Sequence, residues 1–229
     1  MGTSPLFAVE ALVLVGLNEA GPLPPLPEEP RMLRVHRALW AAIECREELV
    51  VEPLSSWAIL RRYARRAPQP GEGMAVNVAR TFLAREDRTR SILGWHAANF
   101  GLTAWLTRVA TAEQLVVLYA SNAHFGRGTM GVGQAAWAWF GARPEDLTWG
   151  QAALLATLEE APGSLDPRCA PERALRRRHW VLERLAASRA MTPRALADAD
   201  AEPLLPRAGA CPEADVRACR RRRRCAPPR

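Results

Sequence analysis

Apolar residues recur along most of this chain at intervals of three and four, the spacing that lines one face of an α-helix. The first apolar run, Leu6 to Leu17, is interrupted by Glu10. It is too short to span a bilayer and has no basic region before it, so it reads as a buried helix, with a decayed membrane anchor as the alternative. Residues 21–30 (GPLPPLPEEP) form a proline-rich spacer that cannot be a helix interior. From Met32 to Glu48, the positions Leu33, Ala38, Leu39, Ala42 and Ile43 share one buried face, and Pro53 stops the pattern. Ser55 or Ser56 caps a further helix through Ile59 and Leu60 to Arg66. After a turn-rich loop, helices are predicted over Met74–Leu83 and Ile92–Leu106, and over Ala112–Tyr119 with Glu113 in the first turn.

A glycine loop, HFGRGTMG, precedes helices over Gly133–Phe140 and Trp149–Leu158. An arginine-rich helix over Pro171–Arg189 carries Leu175, Trp180, Val181, Leu182 and Leu185 on its apolar side. Proline, alanine and arginine dominate after Pro206, a composition that does not fold alone. No internal repeat and no pair of strands emerges, so the fold class is mainly α. Three parts follow. Residues 1–31 are an apolar segment and spacer, 32–195 a single helical domain, and 196–229 a disordered arginine-rich tail.

The net charge of +7 changes this picture little. There is no lysine, so all the positive charge is arginine, and part of the excess sits in the Arg220–Arg224 run. Such a balance favours anionic partners such as anionic lipid, diphosphate or nucleic acid, and it fits a solvated basic tail equally well. A nucleic-acid role explains no other feature and is not expected. Of five cysteines, Cys45 and Cys169 lie in the helical domain and Cys211, Cys219 and Cys225 in the tail. None has the spacing of a zinc site. A disulfide in the tail would require an oxidising compartment.

Residues 121–162 carry the most specific signal: glycines, a small-residue helix, an FG turn, an LT start and an AALLA helix at fixed spacing. This order resembles the C-terminal half of the peptidoglycan glycosyltransferase domain, glycosyltransferase family 51, found in penicillin-binding proteins and monofunctional transglycosylases. Tyr119, Phe125, Gly126, Gly128, Gly131, Ala135, Ala136, Phe140, Gly141, Leu147, Thr148 and Pro162 keep the family pattern. Ala142 and Gln151 replace a lysine and a glutamate. These kept positions are architectural: they speak for fold more than for chemistry. The resemblance runs from about Met32 to Met191 and implies a lysozyme-like helical fold.

Three further segments carry the chemistry that the resemblance implies. AIECREELVVEPLSSWAILRR aligns without a gap to the family's first motif from Ala42 to Arg61 and sets Glu44 on the catalytic glutamate. There the carboxylate is the general base on the acceptor sugar's C4 hydroxyl, which attacks C1 of the donor with inversion and expels a polyprenyl diphosphate. Around it the pattern departs. Cys45 stands for an aspartate, Glu48 for an aromatic, Val51 for a histidine, Pro53 for a glycine and Ser55 for a second aspartate. PGEGMAVNVARTFL matches the second motif, a hydroxyl-rich loop entering a helix that holds the glycan and diphosphate. Gly71 is kept, Asn77 replaces a glutamine and Arg80 a lysine, both still able to bind. Glu72 stands at a hydroxyl position, and a glutamate facing a diphosphate would repel it.

The third motif ends on the family's second catalytic carboxylate. Asn99 falls there, or His96 after a small shift, and no carboxylate occurs between Asp87 and Glu113. Trp95, Trp105, Trp137 and Trp139 can stack on sugars but are read first as packing. The expected site is thus Glu44 as catalytic base, with Gly71, Asn77, Arg80 and Asn99 on the substrate, joined on the diphosphate by Arg85, Arg88 and Arg90. The resemblance implies a lipid II-type substrate, cell-wall synthesis proteins and a membrane surface as partners, and a place on the outer face of the cytoplasmic membrane. It also implies a divalent cation, magnesium or manganese, but the carboxylates to hold one are mostly replaced, so no metal site is assigned. The lost acid and cations point to reduced activity, or to a pseudoenzyme that binds a lipid-linked glycan or a partner without turnover.

Overall fold

Glu10, the one charge in the first apolar run, explains how that run folds. In the computed structural model, which describes residues 4–46, 48–65, 68–86 and 91–204, Pro5–Ala20 is helix α1. Its buried face is Val9, Val13, Gly16 and Ala20. Glu10 accepts two hydrogen bonds of 3.0 Å from Arg108 and a short one from the Ser56 hydroxyl. The Arg108 and Ser56 bonds hold its carboxyl below the usual carboxylate range. The run is therefore a docked helix.

Its partner is α5 (Ile92–Val109), which runs antiparallel: Glu19 lies beside Gly94, Gly16 beside Gly101, and Glu10 beside Arg108. The two backbones touch at the glycines, where a Cβ on Gly101 would sit 2.5 Å from the Gly16 carbonyl carbon. Small residues let helices approach this closely. Ala104 of α5 closes a cluster with Val9, Val13, Leu54 and Ile59. Helix α3 (Ser56–Arg65) packs on α1, and α4 (Glu72–Arg85) packs on α5. With α6 (Ala112–Ala120), these helices make one compact unit, drawn from Met1–Pro30 and Leu49–Tyr119.

The second unit, Arg31–Glu48 and Ala120–Arg229, is built around α8 (Trp149–Glu160). Helices α2 (Arg34–Glu44) and α9 (Pro171–Ala187) pack on α8, as do α7 (Gly131–Phe140) and α10 (Pro193–Ala201). Thr148 caps α8 by accepting from the Gln151 N–H, and Gln151 accepts in return from the Thr148 N–H. A 3-10 turn at Pro144–Asp146 leads into it. Among the described residues there is no strand, only an isolated bridge between His124 and Met130. The fold is mainly α and consistent with a lysozyme-like transglycosylase.

Three expectations change. Helix α10 occupies residues 193–201, so the segment assigned to the disordered tail begins in a capped helix, with Thr192 accepting from the Ala195 N–H and Ala199 buried. The rest of that tail, including Arg220–Arg224 and its three cysteines, lies outside the described residues. Leu175 is exposed, whereas Arg178 on the same helix is buried. Arg178 donates to the carbonyls of Asp200 and Glu202, both at 2.9 Å, and so satisfies the C-terminal end of α10. Residues 4–20, expected to precede the helical domain, pack within the first unit.

His36 on α2 is buried, and its Nδ1 accepts from the Leu33 N–H at 3.1 Å. Burial pushes its imidazole down to about 4 from 6.5. As pH falls, the unfolded chain takes up this proton first, so the stability held by neutral His36 is complete above about 6.5 and is lost toward 4. The loss attributable to this group is about 3 kcal/mol. His36→Gln, which keeps the acceptor for Leu33, should remove that part of the slope when unfolding is followed from pH 7 to 4. Parallel slopes for the two proteins would refute the assignment.

Candidate functional site

The expected site residues divide between the two units. Glu44 belongs to the second, as the last residue of α2, half-buried. It is followed by Cys45 in a left-handed conformation, φ 54°, which ends the helix. The Trp40 indole N–H donates to the Glu48 carbonyl at 2.9 Å and folds the following segment back along α2. Cys45 is disulfide-bonded, and so is Cys169. Both lie beside helix ends of the second unit, and the tail cysteines, among which a disulfide had been considered, lie outside the described residues.

Gly71, Asn77, Arg80 and Asn99 belong to the first unit, the first three on or beside α4 and Asn99 on α5. Gly71 has φ 79° and caps α4. Any Cβ there would lie 2.7 Å from a Val51 methyl, so the valine that replaces the family's histidine is packed against this glycine. The Glu52 N–H donates to the Pro70 carbonyl at 2.9 Å and ties the two loops together. Asn77 is buried and Arg80 half-buried, three residues apart on one side of α4.

Glu72 does not face a ligand. It is 2% exposed, and its Oε2 accepts the Gln69 N–H at 3.0 Å, closing the first turn of α4. A carboxylate at a helix N-terminus is stabilised there by the helix dipole. The carboxylate is turned inward onto the first turn of its own helix instead of standing on the surface of the loop.

On α5, Asn99 and Thr103 lie one turn apart, away from the Gly16 contact. The Asn99 Nδ2 and the Thr103 Oγ1 are buried and have no hydrogen-bond partner among the described residues. Such atoms are rare in folded proteins and are satisfied by water or ligand. His96 is exposed and stands edge-on to Trp95 at 5.2 Å, as a surface histidine does. Trp139 is core, Trp137 is 69% exposed, and Arg88 and Arg90 lie outside the described residues. No three His, Cys, Asp or Glu among the described residues gather to hold a metal ion.

The glycine loop adds residues that sequence reasoning passed over. Arg127, at φ 54° between Gly126 and Gly128, pairs with buried Asp166 at 3.1 Å, and its guanidinium lies 4.6 Å from the Trp139 ring centre. With His124, Pro162 and Gly163 they line a cavity of about 70 Å³. That is well below the roughly 300 Å³ of a typical ligand pocket. The RG dipeptide in HFGRG was the available signal, hidden by reading the loop as architectural.

The sequence model of the family described as Transglycosylase matches residues 58–186. The chain belongs to that family. In family terms it is a peptidoglycan glycosyltransferase-like domain. The match includes Gly71, Asn77, Arg80 and Asn99 and begins after Glu44. Among similar proteins, penicillin-binding protein 1A of Vibrio cholerae is 36% identical over 102 residues, 44% of this chain and 12% of that protein. Penicillin-binding protein 1A of Aquifex aeolicus is 32% identical over 147 residues, 64% of this chain and 20% of its own length. Penicillin-binding protein 1C of Escherichia coli is 43% identical over 74 residues, 32% of this chain and 10% of that protein. The chain thus spans no more than about a fifth of these relatives.

The buried, unpartnered amide of Asn99 leads to a prediction. Asn99→Leu, of similar size, removes an unsatisfied donor and should leave the thermal midpoint unchanged or raise it. A midpoint lowered by more than a few degrees would show that the amide is already satisfied in the free protein.

Proposed function

We propose that the chain transfers a lipid II-type disaccharide onto a growing glycan and releases polyprenyl diphosphate. Glu44 takes the proton of the acceptor hydroxyl, because a hydroxyl becomes an adequate nucleophile only as that proton leaves. Arg80 and Asn77 bind the diphosphate and glycan, the guanidinium by paired charge-assisted hydrogen bonds. Asn99 donates a hydrogen bond where the family has its second carboxylate. It holds an oxygen but transfers no proton, so turnover is slower than with two acids.

The observation that carries this reading is the inward turn of Glu72. It takes the Glu72 carboxylate off the surface of the loop before α4, which leaves the loop surface and Arg80 to meet an anionic ligand. The second reading, a binding protein without turnover, is favoured by the absence of any carboxylate from residue 88 to 112.

A place at the outer face of the cytoplasmic membrane belongs to the same proposal. No described helix is long and apolar enough to cross a membrane. Phe7, Leu12, Leu14 and Val15 of α1 and Ile92 and Leu93 of α5 are nevertheless exposed, a large apolar surface for a protein in water. The disulfides at Cys45 and Cys169 suit an oxidising compartment. Co-flotation with anionic vesicles should be lost in Phe7→Ser/Leu14→Ser; flotation unaffected by both changes would assign that surface elsewhere.

Labelled lipid II tests the reaction itself. The protein should make glycan chains, and Glu44→Gln should slow them by about 10²- to 10⁴-fold, the range for losing a general base. Arg80→Ala should chiefly raise KM. Lipid II binding without chains in the unaltered protein would establish the second reading instead.

A further inference from the structure

We infer that Cys45 and Cys169 are joined to one another, and that this cross-link is a positioning device for Glu44. It rests on the proposed role of Glu44 and goes beyond it. Each cysteine is disulfide-bonded, and both lie in the second unit. The order of the helices brings them to one end. Arg34, the first residue of α2, donates to the Leu147 carbonyl at 3.0 Å and lies 5.7 Å from the ring of Trp149, the first residue of α8. The two helices therefore start together, pack along each other and have nearly equal length, 11 and 12 residues. At 1.5 Å per residue they also finish together.

Helix α9 returns from that same end. Arg177, in its second turn, donates to Glu160, the last residue of α8, at 2.6 Å. Between them, residues 161–170 form tight turns, with the Cys169 N–H donating to the Asp166 carbonyl at 3.0 Å. Cys169 thus sits where α8 gives way to α9, and Cys45 sits immediately beyond the end of α2, which packs on both. The bond would clamp the last turn of α2, and with it the neighbouring Glu44, to the α8–α9 turn. A helix end frays unless it is tied, and a covalent bond next to it keeps its last turn ordered. The position where the family has an aspartate is in this chain the anchor of a cross-link.

Peptide mapping of the full chain under non-reducing conditions tests the linkage. One peptide pair containing Cys45 and Cys169 is expected; either cysteine linked to Cys211, Cys219 or Cys225 overturns the inference. Hydrogen exchange tests the positioning, using Cys45→Ser/Cys169→Ser. Amides 43–46 should exchange about tenfold or more faster while α8 keeps its protection. Unchanged exchange at 43–46, or an equal rise throughout α8, overturns a local role. In the lipid II reaction the double variant should lose kcat with KM kept. If the unaltered protein makes no chains, the role of Glu44 falls, while mapping and exchange still decide the cross-link.

Discussion

The second unit depends on one helix that is apolar on every side. From Ala152 to Leu158 every residue of α8 is fully buried, and its one hydroxyl in that stretch, on Thr157, donates back to the Ala153 carbonyl. A helix of this kind has no face for water and must be covered all round. Helices α2, α7, α9 and α10 supply the cover. Alanines at 152, 153 and 156 let them approach closely, and buried Arg178 of α9 holds the end of α10 in place. Because α2 is one of these covering helices, its end, and Glu44 on it, is delivered by packing that serves stability first.

The first unit obeys a different constraint with the same result. Its scaffold rests on backbone contact between Gly16 and Gly101, guarded by the ion pair of Glu10 with Arg108. The polar residues proposed to bind substrate lie on α4 and α5. Asn77, Arg80 and Asn99 keep hydrogen-bonding capacity where the family's polar groups stood, with altered charge and reach. Site chemistry has been rewritten on a scaffold whose small residues have been kept.

The helices were legible in the chain because their patterns are local. The AALLA run announced α8, and the LT start announced where it begins. What escaped the sequence depends on partners far away along it. Glu72 looked like a charge aimed at a ligand and is a helix cap. Arg178 was not among the residues placed on the apolar side of α9 and is buried on two carbonyls, while Leu175, which was, is exposed. Helix α10 was lost in a segment whose composition suggested disorder, because its stability comes from α8 and α9 and from the carbonyls that Arg178 holds. The disulfide states of Cys45 and Cys169 leave no local signature at all. Of the proposed site, family motifs suggested the positions, whereas the inward turn of Glu72 was not legible.

The central claim is that one carboxylate does the proton chemistry in a site that has lost its second. The pH dependence of kcat/KM for chain formation addresses it directly, since such profiles report the essential acid and base of the free enzyme. The account predicts a rate that rises with pH through a single ionisation and then stays level. A bell-shaped profile with two ionisations would reveal a second essential acid, and would contradict it.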